Sequence, residues 1–348
     1  MTNPFAFIVG NPRSGTTLLR HIVDSHSQIA FLPESPWFMN WLEKGIGVDA
    51  EGFVTPDLAL TLLSKRRLFR DLDLGITARD FEGWIESAGR LSWAELISIL
   101  CNRYGQARGK PLVGNKTPSF VRRIQTMHDL WPGTKFVHIL RDGRDVFLSA
   151  RAKWKDKSNF RQFSTWSQDH VTTVALWWEW NVRLGREAGR ALPSGLYYEI
   201  RYECLVAELE KECAGLCEFL GVPFEDAMLR HQENFHIRCR PDGEVINARV
   251  ALPITPGLRN WREEMTAAEL EQFEAAAGAL LDELGYPRSF EQLRPESLEQ
   301  AFRTRSQFEG RPLPKGWPVR ETNGEAQTQP GVAAQMTPAS GRQLPCGT

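Results

Sequence analysis

The segment that most restricts this chain lies near its start. An apolar run from Phe5 to Val9 stops at Gly10, and Gly10-Asn-Pro-Arg-Ser-Gly15-Thr16-Thr17 leads into a stretch with Leu18, Leu19, Ile22 and Val23 on one helical side. That order reads as strand, loop, helix. Backbone N–H groups around Ser14, Gly15, Thr16 and Thr17, together with the partial positive charge of a helix N-terminus, would point at an anion held in the loop. A plain strand-to-helix turn draws on the same residues, since glycine, arginine and hydroxyls are common where helices begin.

The pattern recurs. Lys135-Phe-Val-His-Ile-Leu140 reads as a buried strand, and Arg141-Asp-Gly-Arg-Asp145 leads into a helix with Val146, Phe147 and Leu148. A third strand, Leu196 to Tyr202, precedes an amphipathic helix from about Leu205 to Leu220, which Gly221-Val-Pro223 ends. Strands alternating with helices predict an α/β fold: a doubly wound parallel sheet flanked by helices, with ligands at the carboxyl ends of the strands.

Between the first two units, residues 36–110 read as a helical insertion carrying Trp37, Phe38, Trp41, Phe53, Phe69, Phe81, Trp84 and Trp93. Residues 150–181 add Trp154, Trp166, Trp177, Trp178 and Trp180. Both sets are expected as core aromatics, with an acceptor pocket as the other use of some of them. From about Gln307 the composition turns to Gly, Pro, Gln, Thr and Ala, so a folded domain over 1–306 and a disordered tail over 307–348 are expected.

Charge narrows the partners. With 42 Lys and Arg against 43 Asp and Glu, the formal charge is −1, and no global basic field invites nucleic acid. No stretch reaches the length of a membrane span, and the N-terminus lacks a basic leader, so a soluble cytoplasmic protein is expected. The six cysteines, Cys101, Cys204, Cys213, Cys217, Cys239 and Cys346, are scattered, lack C-x-x-C spacing and suit a reducing compartment. Cys213 and Cys217, four apart, fit one buried helical face.

The outline of the first loop resembles the phosphate loop of nucleotide-triphosphate enzymes, with an instructive departure. Those loops place Lys after the second glycine, whereas this chain has Thr16 there and carries its cation inside the loop as Arg13. A lysine at that place would reach β- and γ-phosphates. Its absence argues against a kinase acting on a small hydroxyl compound, which would require ATP and magnesium. Arg13 instead stands beside a single 5'-phosphate and whatever is attached to it.

Pro12-Arg-Ser-Gly-Thr-Thr17 resembles the 5'-phosphosulfate loop of the sulfotransferases that use 3'-phosphoadenosine 5'-phosphosulfate (PAPS), and three further segments fall in that family's order. Ile139-Leu-Arg-Asp-Gly-Arg-Asp-Val-Phe-Leu-Ser149 is similar to the 3'-phosphate segment, so the resemblance assigns that phosphate to Arg141 and Ser149. A guanidinium at a strand end suits the role, since it grips phosphate oxygens with a two-pronged fork. Arg201-Tyr-Glu203 is similar to a segment whose tyrosine lies at the adenine; Tyr202 is thus either an adenine contact or a core tyrosine beneath the following helix. Cys204 stands where that segment often has an acidic or amide residue. Pro256-Gly-Leu-Arg-Asn-Trp261 resembles the loop that closes over the nucleotide, with Arg259 as its cation.

For catalysis the resemblance supplies a base and a cation. Glu34, in Phe31-Leu-Pro-Glu-Ser-Pro36, lies 21 residues after Arg13, as in the tyrosylprotein sulfotransferase-type group, where a glutamate after the second strand takes the acceptor's proton. Lys116, in Gly114-Asn-Lys-Thr-Pro118, would share with Arg13 the transferring sulfuryl group and the bridging oxygen. His128 and His138 are alternative bases, though core or surface roles suit them better. The implied reaction carries a sulfuryl group from PAPS to a hydroxyl or amine, without a metal. A non-catalytic nucleotide-binding protein of the same fold would be expected to lack Glu34, Lys116 or Arg13, and all three are present.

Overall fold

The structure, a computed structural model, describes residues 6–55, 77–152, 160, 162–233, 238–239, 245–246, 254 and 259–310. Strands β1 (Ala6–Gly10), β2 (Ile29–Leu32), β3 (Leu112–Lys116), β4 (Lys135–Leu140) and β5 (Tyr197–Arg201) make one sheet in the order β2-β3-β1-β4-β5. All its pairs are parallel. The chain leaves β1 for one side of the sheet and later fills the other, so β1 sits at the switch point where ligands of such folds bind.

The helices are α1 (Thr16–Asp24), α2 (Trp37–Glu43), α3 (Ala78–Ala88), α4 (Trp93–Gln106), α5 (Ile124–Leu130), α6 (Gly143–Arg151), α7 (His170–Arg190), α8 (Tyr202–Ala207), α9 (Leu209–Leu220), α10 (Trp261–Glu264), α11 (Ala267–Glu283) and α12 (Pro295–Glu309). Alternating strand residues supply two cores. Phe7, Val9, Ala30, Leu32, Val113 and Phe136 pack on one side with α2, α4 and α5; Ala6, Ile8, Ile29, Phe31, Val137 and Ile139 pack on the other with α1 and α9. A third cluster joins α6, α7, α11 and α12.

The doubly wound parallel sheet is as expected, and three details differ. β3 was not anticipated, because Leu112-Val-Gly-Asn-Lys116 offers few apolar side chains. It pairs on both edges, and the Phe31 ring lies where a Cβ on Gly114 would stand, 2.3 Å from Phe31 Cζ. The helix expected from Leu205 to Leu220 is two helices that break at Glu208, whose φ and ψ of −131° and 51° are not helical. Starting α8 at Tyr202 lets Glu203 accept the Asp142 N–H at 2.9 Å and the Tyr286 hydroxyl at 3.1 Å. Finally, α12 continues to Glu309, past the expected domain end at 306; residues 311–348 lie outside the described ones.

Trp37, Phe38, Trp41, Phe81, Trp93, Trp166, Trp177 and Trp178 are buried, as core aromatics should be, and those of the insertion belong to the sheet's own core. Phe69 and Trp154 fall outside the described residues. Cys213 and Cys217 are free and buried together on α9, and Cys101 is free and buried on α4. Cys204 departs from the reducing-compartment expectation by being disulfide-bonded.

His138 is wholly buried in β4. Its Nδ1 lies 2.7 Å from the Tyr197 hydroxyl, which donates to Glu199, and its Nε2 has no partner. A second proton would sit on that enclosed nitrogen, so burial pulls the imidazole down to about 4. Between pH 6.5 and 4 the unfolded chain therefore binds a proton that the native one refuses, and stability falls as pH falls. The loss should approach roughly 3 kcal/mol at the acid end. Denaturant unfolding of the wild type and His138→Gln across this range should show a shallower acid loss in the variant; parallel curves would remove His138 as the cause.

Candidate active site

Each segment read as part of the site leaves the carboxyl end of a different strand. The loop of Arg13 follows β1, Glu34 follows β2, Lys116 ends β3, Arg141 follows β4 and Tyr202 follows β5. Parallel pairing puts these ends along one edge of the sheet: Gly10 is opposite Ile139, Leu32 opposite Asn115, and Leu140 opposite Arg201.

The β1 loop is built for close approach. Gly15 is the N-cap of α1 at φ 95°, and a Cβ there would stand 2.4 Å from the Tyr202 ring. Arg13 also has a positive φ, 78°. The first-turn N–H groups of α1 have no acceptor within the helix. Ser14 behaves differently from expectation: its N–H turns back to the Asn11 carbonyl at 3.1 Å, while its buried hydroxyl has no partner. The loop thus offers the Ser14 hydroxyl in place of the Ser14 N–H. Asn11 is pinned from behind, accepting from Asn181 Nδ2 at 2.9 Å. Asn181 was missed in the sequence because 170 residues separate the two.

The β1 and β4 segments meet directly. Arg13 Nε donates to Ser149 Oγ at 3.0 Å, and Arg141 Nη1 to the Arg13 carbonyl at 3.3 Å. The Arg141 guanidinium lies 4.0 Å from the centroid of the Tyr202 ring, and its Nε is buried without a partner. Tyr202 packs against Gly15 and presents one ring face to Arg141. Arg144, charged and adjacent, is not at the ligand face at all. It is 0% exposed, bonded to Asp142, Glu274 and the Pro287 carbonyl, and its role is structural.

On the far side of β1, Lys116 donates to Glu34 Oε1 and, at 3.2 Å, to Thr17 Oγ1. The Lys116 side chain is 4% exposed and that of Glu34 53%, so the cation is enclosed while the carboxylate faces outward. A latch between strand exits sets this pair. Ser35 N–H donates to Thr117 Oγ1 at 2.9 Å, Thr117 Oγ1 to Asn115 Oδ1 at 2.8 Å, and Asn115 Nδ2 to the Pro33 carbonyl at 3.0 Å. Asn115 and Thr117 flank Lys116 in the sequence, which was the available sign of them.

The site is a focus of positive charge. Partial burial of its guanidinium end, then the charges of Arg141 and Arg259, pull Arg13 below its usual range, with Glu34 opposing, although Arg13 as a residue is exposed. Burial lowers Lys116, and Glu34 holds it up. Burial pushes Asp145, beneath Arg141, up to about 6. Anions that fill the partnerless donors at Ser14 and Arg141 would relieve this crowding. The charge of Arg259 acts on Arg13; Pro256, Gly257 and Leu258 lie outside the described residues. His138 is enclosed in the sheet and His128 is half-buried on α5. Among the described residues no cluster of His, Cys, Asp or Glu could hold a metal ion, and no helix is long and apolar enough to cross a membrane.

Comparisons with known proteins bear on the family and the fold. The family model described as "Sulfotransferase family" matches residues 4–226. The nodulation protein NoeE of Sinorhizobium fredii is 25% identical over 92% of this chain and 74% of its own length. Protein-tyrosine sulfotransferase A of Caenorhabditis elegans is 24% identical over 67% of this chain; the match spans about half of that relative, 53%. Among solved structures, the sulfotransferase domain of a Synechococcus olefin synthase shares the fold with a TM-score of 0.53 at 23% identity, covering 82% of this chain and 95% of that one.

Proposed function

The chain belongs to the sulfotransferase family, and from that premise we propose how its residues divide the work of moving a sulfuryl group from PAPS to an acceptor hydroxyl or amine. The first-turn N–H groups of α1, with Ser14, Gly15, Thr16 and Thr17, would hold the 5'-phosphate end. Arg141 and Ser149 would hold the 3'-phosphate, Tyr202 would flank the adenine, and Arg259 would close from the other side. In the transfer, the sulfur–oxygen bond to the 5'-phosphate breaks as one to the acceptor oxygen forms. Glu34 would receive the acceptor's proton, while Lys116 and Arg13 stabilise charge on the sulfuryl group and the departing phosphate oxygen.

The observation that carries this reading is the position of Lys116, bonded at once to Glu34 and to Thr17 of the phosphate loop. It ties the base to the place where the transferring group would sit. For a location we propose the cytoplasm, which the free buried thiols suit and the disulfide at Cys204 opposes. The acceptor is a hydroxyl compound by this reading, with an amine as the second choice.

The test is nucleotide choice. Calorimetry should show 3'-phosphoadenosine 5'-phosphate (PAP) bound far more tightly than adenosine 5'-phosphate (AMP), and Arg141→Ala should remove about 2 kcal/mol of that advantage, as loss of a charge-assisted pair does. Equal affinities in the wild type would remove the 3'-phosphate site and with it this division of labour. Turnover of labelled PAPS with an acceptor library would then name the acceptor.

A further inference from the structure

Asp145 lies in the first turn of α6, and its two carboxylate oxygens have different duties. Oδ2 is 3.6 Å from Nη2 of Arg141, while Oδ1 accepts the Trp261 N–H at 3.2 Å. Trp261 opens α10, where an N–H has no acceptor of its own helix. The Arg144 guanidinium lies 3.5 Å from the centroid of the Trp261 ring. Because Arg144 is itself locked by Asp142 and Glu274, the start of α10 is held against α6 at two points.

Arg259 stands two residues before Trp261 and pairs with Glu264 of α10 at 3.2 Å. Its charge reaches Arg13 in the β1 loop. One carboxylate thus lies beside the arginine assigned to the 3'-phosphate and also bonds the first N–H of the helix that Arg259 precedes.

We propose that Asp145 is a positioning residue that couples Arg141 to the placement of Arg259 beside the β1 loop. This rests on the reading of Arg141 given above. Pairing with Asp145 limits rotation of the Arg141 guanidinium, and the same side chain ends the fraying of α10. A carboxylate here has an opposite potential effect, repulsion of an incoming phosphate, so the sign of the change on removing it decides the matter.

Asp145→Asn keeps an oxygen for the Trp261 N–H and loses the charge that orients Arg141; Asp145→Ala loses both. PAP affinity should therefore fall about fivefold in the Asn variant, with kcat close to wild type. The Ala variant should lose about tenfold more PAP affinity than the Asn variant, because Arg259, which closes over the nucleotide, is released as well. Adding Arg259→Ala to Asp145→Ala should cost little further affinity, although Arg259→Ala alone costs much. Tighter or unchanged PAP binding in the Asn variant, or affinity losses that simply add, would overturn the proposal, provided melting curves show folded protein. A wild type that fails to prefer PAP over AMP would instead bring down the Arg141 assignment, and the coupling with it.

Discussion

Glu34→Gln should lower turnover by about 10²- to 10⁴-fold while leaving nucleotide affinity nearly unchanged. Glutamine keeps the reach of the side chain and an oxygen for Lys116, but it cannot accept the acceptor's proton. Glu34 is itself 53% exposed, but the substitution leaves Lys116, 4% exposed, without its charge partner, so a modest drop in melting temperature is expected. The dependence on acceptor supplies the sharper measurement. A poorly acidic alcohol needs the base fully, whereas a phenol of low pKa is already partly ionised, so the deficit should shrink along a phenol series. A purely structural Glu34 would weaken folding and nucleotide binding and would be indifferent to acceptor pKa. Full activity of the variant on an alcohol would end the assignment.

Lys116→Met should cost about 10²- to 10³-fold in kcat, the usual effect of deleting a group aimed at developing charge. Stability should move the other way or stay level. Lys116 is 4% exposed, so its ammonium is held out of water, whereas its partner Glu34 returns to solvent easily when released. Replacing an enclosed charge by an apolar side chain of similar length is often neutral or stabilising when the other partner is not left buried. PAP affinity should change by only a few fold, because PAP lacks the sulfuryl group and keeps only the phosphate oxygen that Lys116 shares with Arg13. Rates with PAPS, calorimetry with PAP and a melting curve separate these effects. Unchanged kcat would show that Arg13 carries the charge stabilisation alone.

The parts legible in the sequence were those whose signals are local. β1 and β4 are apolar runs followed at once by glycine-containing loops, and the residues that matter come within a few positions of each strand's end. Lys116 was legible only through its family setting, because β3 reads as a poor strand: its pairing on both edges is decided by neighbours far along the chain. Side-chain duties were harder still. Arg141 and Arg144 stand three apart in one charged run, yet one lines the site and the other is locked beneath Trp261. The sequence pattern cannot separate them, since the distinction is made by Glu274 and the Pro287 carbonyl, 130 and 143 residues further along the chain. Asn181 and Asp145 were hidden for the same reason.

The pairs that define the site are remote in the chain: Arg13 and Ser149 are 136 residues apart, and Glu34 and Lys116 are 82. Strand ends brought together by parallel crossovers cannot meet until the crossovers between them have closed, and such non-local closure is the slow part of folding. A half-formed sheet therefore has no half-formed site. Nascent or partly unfolded chains would be blind to the nucleotide, and a ligand that spans β1 and β4 acts as a clasp on the finished topology, binding only what has already folded and pulling the population toward it.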